Sequence, residues 1–171
     1  YNVWNKLVKR TLYVDNHILF PAGYGMGEDM TMIRLVACAE QVAYVPRAFY
    51  HYVKLNAGAF TNAYSQKNLM DLHHNADETI RFVKEKKGMA LNDEIAYFQL
   101  NTKFPFLICD DWKMYRLWKE WYPEAEACIF SNHNLSIRFR LLQYAAAKGW
   151  FVWVWLYYQL VYKFIYGIIY K

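Results

Sequence analysis

The sequence predicts an α+β fold in which helices dominate. Apolar residues recur at helical spacing in most segments of the chain, and Gly or Pro ends several of these segments. A run of β-branched and aromatic residues near 41–54 is divided by Pro46, which favours two short strands or an edge strand and its return. The 171 residues suffice for one domain of ordinary size with its own core, so a multi-domain protein is not expected.

The part of the chain before Pro46 is predicted to contain two helices joined by a bent loop. A short helix is expected over residues 3–16, where apolar side chains share one face. Residues 20–27 hold one Pro and three Gly, a composition typical of a loop whose backbone turns sharply. A second helix follows, with Glu28 and Asp29 in its first turn, where the helix dipole favours negative charge.

The rest of the chain is predicted to be helical. Apolar spacing together with Gly or Pro stops predicts helices over residues 68–87, 92–104, 112–122 and 134–148. A final helix near residues 149–171 is aromatic and amphipathic, with Gln159 and Lys163 on one line along it. No repeat or low-complexity tract is present, which excludes a solenoid.

Composition and charge limit the classes of protein that the chain can represent. Hydrophobic residues make up 56% and aromatic residues 20%, so a disordered or collagen-like chain is excluded. The net charge of +5 favours anionic partners such as lipid, phosphate or nucleotide. The three cysteines form no C-x-x-C pair, which argues against a disulfide framework or a zinc ribbon. No nucleic-acid-binding motif accompanies the basic residues, and nucleic acid is not an expected partner.

The C-terminal aromatic segment, residues 149–171, predicts contact with a membrane surface. It is long enough to span a bilayer, but Tyr and Trp distributed through its length are typical of the headgroup level. An interfacial helix is therefore favoured, with its membrane contacts at Trp150, Trp153, Trp155 and Lys163. Three alternatives stay open, because each accepts the same apolar face: a buried core helix, a contact with a second copy of the chain, and a true span.

Glu28 and Asp29 are the candidates for chemistry. A glycine-rich loop delivers them to the start of a helix, so each carboxylate sits on a rigid element with open space before it. Such a group can act as a general base that takes the proton from an attacking hydroxyl. The alternative is that both acids only complement the dipole of a surface helix.

Several short motifs occur in an order that is found in a known enzyme family. They are Trp4-Asn5-Lys6-Leu7 with Lys9-Arg10, Phe20-Pro21, Gly27-Glu28-Asp29, and Val45-Pro46 with Tyr50-His51-Tyr52. This ordered set resembles the second half of bacterial family 2 glycosyltransferases, which have the GT-A fold. The resemblance implies that residues 1–55 are the C-terminal part of a GT-A-like catalytic domain and that residues 56–171 form a helical appendage.

The resemblance also implies roles for individual residues. Asp29 would be the catalytic base that deprotonates the acceptor hydroxyl, and Glu28 would help to bind the acceptor. Trp4, Asn5 and Lys6 would lie near the acceptor and the donor phosphates. His51 would reach the metal or the diphosphate, although a structural histidine in a strand is an equally good interpretation.

The family's nucleotide-binding half, with the Asp-x-Asp that holds Mn²⁺ or Mg²⁺, has no counterpart in this sequence. We therefore expect a fragment that is inactive by itself. In the complete enzyme the resemblance implies a divalent metal, a nucleotide diphosphate sugar, and a glycan or lipid-linked acceptor used in surface polysaccharide or lipopolysaccharide synthesis. The expected location is the inner face of the cytoplasmic membrane.

Two other functions are weighed against sugar transfer. The first is a non-catalytic helical module that binds a membrane or a protein. The second is a zinc protein that uses His73, His74 and Asp77, because His73 and Asp77 are four residues apart on one helical face. A solvated helix face is the favoured interpretation of that group, since no pattern joins a further ligand to it.

Overall fold

The computed structural model describes residues 3–51 and 65–169, with side chains described through residue 167. Within these ranges the chain is helical and has no strand. The prediction that helices dominate is confirmed. The chain divides into two compact units, residues 1–90 and residues 91–171, whereas its length alone predicts a single core.

The strands predicted near 41–54 are wrong over the described residues 41–51; residues 52–54 lie outside the described part of the chain. Residues 41–51 are exposed throughout, and a strand needs a neighbour to pair with. At Pro46 the chain makes a tight turn instead, in which the Arg47 N–H donates to the Val45 carbonyl over 2.8 Å. The β-branched and aromatic composition therefore does not indicate a strand at this position.

Over residues 3–51 and 65–90, the first unit contains three α-helices. These are α1 (Arg10–Asp15), α2 (Glu28–Cys38) and α3 (Gln66–Lys87), and a 3-10 turn over Gly88–Leu91 follows. The prediction for α3 is confirmed: Ser65 caps its start by accepting a hydrogen bond from the Asn68 N–H, and Gly88, with φ of 61°, ends it.

The helix predicted over residues 3–16 is shorter in the structure. It begins only at Arg10, and Lys9 at its N-cap position is extended and provides no side-chain cap. Val3 and Val8 nevertheless pack on the buried core of the first unit. That core comprises Ile18, Met32 and Leu35. The apolar spacing over residues 3–9 therefore reflects burial of side chains rather than a helix.

In its described residues, 91–169, the second unit contains four α-helices and a π-helix. They are α4 (Asn92–Lys103), α5 (Trp112–Glu120), α6 (Ile137–Ala147), α7 (Phe151–Tyr157) and the π-helix Tyr158–Ile169, with 3-10 turns over Phe104–Leu107 and Pro123–Cys128. Trp118, Tyr115 and Phe106 are fully buried at its centre. The predicted C-terminal helix is thus α-helical only in its first part.

Candidate functional site

The glycine-rich loop before α2 is held from both sides by α3. The Gly25 N–H donates to Asp71 Oδ2 over 2.9 Å, and Asn75 Nδ2 donates to the Gly25 carbonyl over 2.7 Å. Asp71 and Asn75 are both buried. Both hydrogen-bonding groups of the Gly25 backbone, the N–H and the carbonyl, are therefore held by side chains of α3.

Asp71 is kept in its charged form by its partners. The Lys67 ammonium donates to Asp71 Oδ2 over 2.6 Å. This hydrogen bond, together with the one from Gly25, holds the pKa of the Asp71 carboxyl below its usual range. The carboxylate is thus an acceptor at neutral pH, which the Gly25 amide requires.

Gly27 joins the loop to α2 where there is no room for a side chain. A Cβ at this position would stand 2.4 Å from Pro21 Cγ and 2.8 Å from Asn75 Nδ2. The Gly27 carbonyl accepts hydrogen bonds from the Thr31 N–H at 3.0 Å and from Thr31 Oγ1 at 3.1 Å. The start of α2 therefore has a fixed position on the loop.

Glu28 and Asp29 occupy the first turn of α2, as predicted. Both are exposed, and neither side chain makes a hydrogen bond or ion pair with a described residue. The braced loop thus holds two unpaired carboxylates toward solvent. Their geometry permits a general base, and it equally permits a favourable interaction with the helix dipole.

The predicted acceptor-side residues lie at a second place in the first unit. The ring of Trp4 stacks on Tyr50, with centroids 4.8 Å apart and planes 25° apart. Lys6 Nζ donates to Asn5 Oδ1 over 2.7 Å. The stack brings together the first and last of the short sequence motifs, which are far apart along the chain. No bonding contact joins Asp29 to them.

His51 follows Tyr50 and is exposed. It makes no hydrogen bond or ion pair with a described residue. Over residues 3–51 and 65–169, no group of three or more His, Cys, Asp or Glu side chains converges in a way that could hold a metal ion. The structure therefore gives no ligand set for the role of His51 that the resemblance implies.

The His73, His74 and Asp77 group separates into two contacts. His73 Nδ1 lies 3.3 Å from Asp77 Oδ2, on the predicted line of α3. The ring of His74 stacks instead on Tyr24 of the glycine-rich loop, with centroids 4.0 Å apart and planes 15° apart. His74 thus becomes a third contact between α3 and this loop.

Sequence reasoning missed Asp71 and Asn75. A signal for them exists: Asn68, Asp71 and Asn75 follow helical spacing on the side of α3 that also buries Ala76. Polar residues among the buried positions of a helix need partners inside the protein. The glycine-rich loop provides these partners for Asp71 and Asn75.

The predicted membrane residues of the second unit divide into two groups. Trp150 and Trp153 are exposed and line a shallow open cleft of about 360 Å³. We call this feature the aromatic cleft; its residues are Trp112, Gly149, Trp150, Phe151, Val152 and Trp153.

Trp155 and Lys163 instead bind Asp110. Trp155 Nε1 donates to Asp110 Oδ1 over 2.8 Å, and Lys163 Nζ donates to Asp110 Oδ2 over 2.5 Å. Gln159 Nε2 is a third donor, 3.1 Å from Asp110 Oδ1. Lys163 and the two neutral donors hold the pKa of Asp110 below its usual range, and Asp110 raises the pKa of Lys163.

No protein-family model, no curated protein and no solved structure matches the chain. In the described part of the chain, no helix combines the length and the apolar character needed to cross a bilayer.

Proposed function

We propose that this chain is the acceptor-side part of a family 2-like glycosyltransferase. The observation that carries the proposal is the pair of exposed carboxylates, Glu28 and Asp29, which have no hydrogen-bond or ion-pair partner among the described residues and lie at the end of a loop that Asp71 and Asn75 brace. A general base needs such a rigid support and open access. The ordered motifs in residues 1–55 supply the reaction class.

The reaction is transfer of a sugar from a nucleotide diphosphate sugar to a hydroxyl of a glycan or lipid-linked acceptor. The Asp29 carboxylate takes the hydroxyl proton while the acceptor oxygen forms its bond to the anomeric carbon. The bond from that carbon to the diphosphate breaks, and the nucleoside diphosphate leaves. Glu28 lies one residue away and orients the acceptor.

The Trp4–Tyr50 stack is the proposed sugar-binding surface. Trp4 is 39% exposed, so part of its ring surface is open to solvent. A sugar ring presents apolar C–H groups that pack well on such a surface. Asn5 and Lys6 lie beside it and offer polar contacts to hydroxyls or to the donor phosphates.

The donor site is proposed to lie on the nucleotide-binding half that the resemblance implies. A Mn²⁺ or Mg²⁺ ion would there neutralise the diphosphate charge. His51 is the residue of this chain that we assign to the metal or diphosphate. A lipid-linked acceptor would place the enzyme at the inner face of the cytoplasmic membrane.

The test is Asp29→Asn in the protein as its complete gene encodes it. Release of nucleoside diphosphate is measured with a panel of UDP- and GDP-sugars and a bacterial glycolipid extract as the acceptor. We expect turnover to fall about 100-fold or more, because the base is lost, while KM for the donor changes little.

Asp93→Asn is the matched control, because Asp93 is likewise an exposed acid in the first turn of a helix, α4. It should keep wild-type turnover. An Asp29→Asn variant that also keeps wild-type turnover would refute the base assignment. A wild-type protein that releases no nucleotide from any donor would refute sugar transfer itself.

A second candidate function is favoured by one observation, the exposed aromatic cleft of the second unit. In this case the protein is a non-catalytic helical module that binds a membrane. It predicts that Asp29→Asn changes nothing, whereas loss of Trp150 and Trp153 abolishes membrane attachment.

A further inference from the structure

The aromatic cleft exposes several large apolar side chains side by side. Trp112 is 43% exposed, Trp150 53%, Val152 55% and Trp153 66%. Single exposed apolar residues are common, but a contiguous group marks a surface that meets another molecule. Trp150 lies in the turn between α6 and α7, and Val152 and Trp153 lie in the first turn of α7. Trp112 is the first residue of α5.

Internal packing fixes this exposure. Trp112 meets Phe151 edge-on, with ring centroids 6.4 Å apart, and Trp150 meets Tyr144 in the same way at 6.1 Å. Gly149, with φ of 74°, makes the tight turn, and the Trp150 N–H donates to the Ala145 carbonyl over 2.8 Å. The turn and the contact with Tyr144 therefore fix the position of Trp150.

Basic residues are concentrated in the two segments that line the cleft. Segments 112–119 and 148–153 contain four basic residues and no acidic one. The four are Lys113, Arg116, Lys119 and Lys148, all exposed and none in an ion pair with a described residue. Lys119 Nζ lies 3.6 Å from where a Cβ on Gly149 would stand, so its ammonium is at the edge of the cleft.

The acids next to these segments offset only part of this charge. The Asp111 carboxylate caps α5 by accepting a hydrogen bond from the Lys113 N–H over 2.8 Å. Asp110 binds Lys163. Glu120 follows Lys119 as the last residue of α5. The face therefore keeps an excess of basic over acidic groups.

We infer that the aromatic cleft and its four basic residues dock the protein on an anionic bilayer surface. Trp is favoured at the headgroup level, where its ring is partly in apolar and partly in polar surroundings. Lys and Arg beside it attract the phosphates of anionic lipids. A second copy of the chain would place the same positive charges against each other, so charge complementarity favours lipid.

This inference changes the surface that the sequence predicts. Along residues 149–171 the sequence assigns Trp155 and Lys163 to the membrane, but both are bound to Asp110. The docking face instead joins the start of α5 to the α6–α7 turn and adds Trp112 and Lys119. The docking inference rests on the proposed function in one respect: a lipid-linked acceptor would place the enzyme at a membrane. Vesicle binding needs no sugar transfer, so either proposal can fail alone.

The test is sedimentation of the protein with vesicles of phosphatidylcholine, with and without phosphatidylglycerol, at low and high salt. Binding should need phosphatidylglycerol and weaken as salt rises. Lys119→Glu with Lys148→Glu should weaken binding roughly 30-fold or more, since each basic residue near the surface contributes about fivefold. Trp150→Ala with Trp153→Ala should weaken it by a similar factor, and the emission of the wild-type tryptophans should shift to shorter wavelength on binding.

Matched double variants separate this face from the chain's overall charge and hydrophobicity. Lys84→Glu with Lys87→Glu makes the same charge change on α3, and Tyr44→Ala with Phe49→Ala removes two exposed aromatic rings elsewhere. Both should bind nearly as the wild type does. All sites are exposed, so circular dichroism should show unchanged helicity.

Three results would overturn the inference. The first is an equal loss in the test and control pairs, which would leave only net charge or general hydrophobicity. The second is binding that does not depend on phosphatidylglycerol. The third is a dimer in solution that Trp150→Ala with Trp153→Ala dissociates, since a second copy would then cover the cleft.

Discussion

Lys103 is a fully buried lysine at the end of α4. Its ammonium donates to the Trp121 carbonyl over 2.6 Å and to the Tyr122 carbonyl over 3.3 Å, and it lies 4.0 Å from the centroid of the Trp118 ring. Tyr122 has φ of 48°, a strained value for a non-glycine residue. The lysine thus satisfies the carbonyls of a strained turn.

Burial lowers the pKa of Lys103 from 10.5 to about 8, although Glu126 and Glu124 act in the opposite direction. At pH values between these two, the Lys103 side chain is protonated in the unfolded chain and deprotonated in the folded chain. The free energy of unfolding should therefore rise with pH in this window, by up to about 1.4 kcal/mol per pH unit from this group. Lys103→Met should remove that rise in urea denaturation curves.

Lys113→Met is the control, because Lys113 is exposed and its loss should leave the slope unchanged. Burial also raises the pKa values of Cys109 and Tyr115, and both groups lower stability as pH rises. The comparison between variants cancels these contributions. Equal slopes for Lys103→Met and the wild type would show that Lys103 does not titrate in this window.

Asn75 tests the brace on the glycine-rich loop. Asn75→Ala leaves the Gly25 carbonyl without its 2.7 Å donor, so we expect the free energy of unfolding to fall by about 1 kcal/mol. Urea denaturation measures the change. Lys84→Ala, at an exposed position of the same helix, should be neutral within about half a kcal/mol. If both variants behave alike, the brace does not stabilise the loop.

At the level of elements, three side chains of the C-terminal segment bind one carboxylate outside it, that of Asp110. Trp155, Gln159 and Lys163 recur every four residues, and all three donate to Asp110. Asp110→Asn removes the charge that holds Lys163 and one acceptor oxygen. Hydrogen exchange over residues 155–163 should become faster in this variant, because the segment loses its attachment to the start of α5.

Asp111→Asn is the neighbouring control, since Asn caps a helix about as well as Asp. Its exchange rates over residues 155–163 should match the wild type.

The attachment should also depend on pH. The pKa of Asp110 is lowered in the folded protein. Its contribution to the attachment is therefore complete above the ordinary carboxyl pKa and is lost as pH falls through the lowered pKa. Lys163 has a raised pKa, so its contribution is lost as pH rises through that value.

Helix starts show how far local signals reach. The helix starts predicted at residue 92 and after Asp111 are confirmed. Acids in the first turn of α4 and the Asp111 cap of α5 act on the nearest backbone N–H groups, so these signals are local. The helix predicted from Asn134 begins only at Ile137. The Leu135 N–H instead donates to the Asn132 carbonyl in a turn, and Ser136 takes the N-cap position.

At the scale of the whole molecule, each of the two compact units carries one of the two proposed activities. The first, residues 1–90, holds the braced loop with Asp29 and the Trp4–Tyr50 stack. The second, residues 91–171, holds the aromatic cleft and its basic residues. Chain length limits how many residues can be buried, but it does not determine how their contacts group into units.

Local sequence patterns are enough to predict the helices α3 and α4, the bent loop before α2, and the place of Glu28 and Asp29 in a first turn. These features depend on residues within a few positions of each other, where spacing, caps and glycine conformation act. The pairing of polar groups depends instead on how the helices pack. Gly25 with Asp71 and Asn75, and Asp110 with Lys163, join residues 46, 50 and 53 positions apart, and local patterns carry no information about partners at such separations. For that reason the loop brace and the proposed docking face form only once the helices are packed.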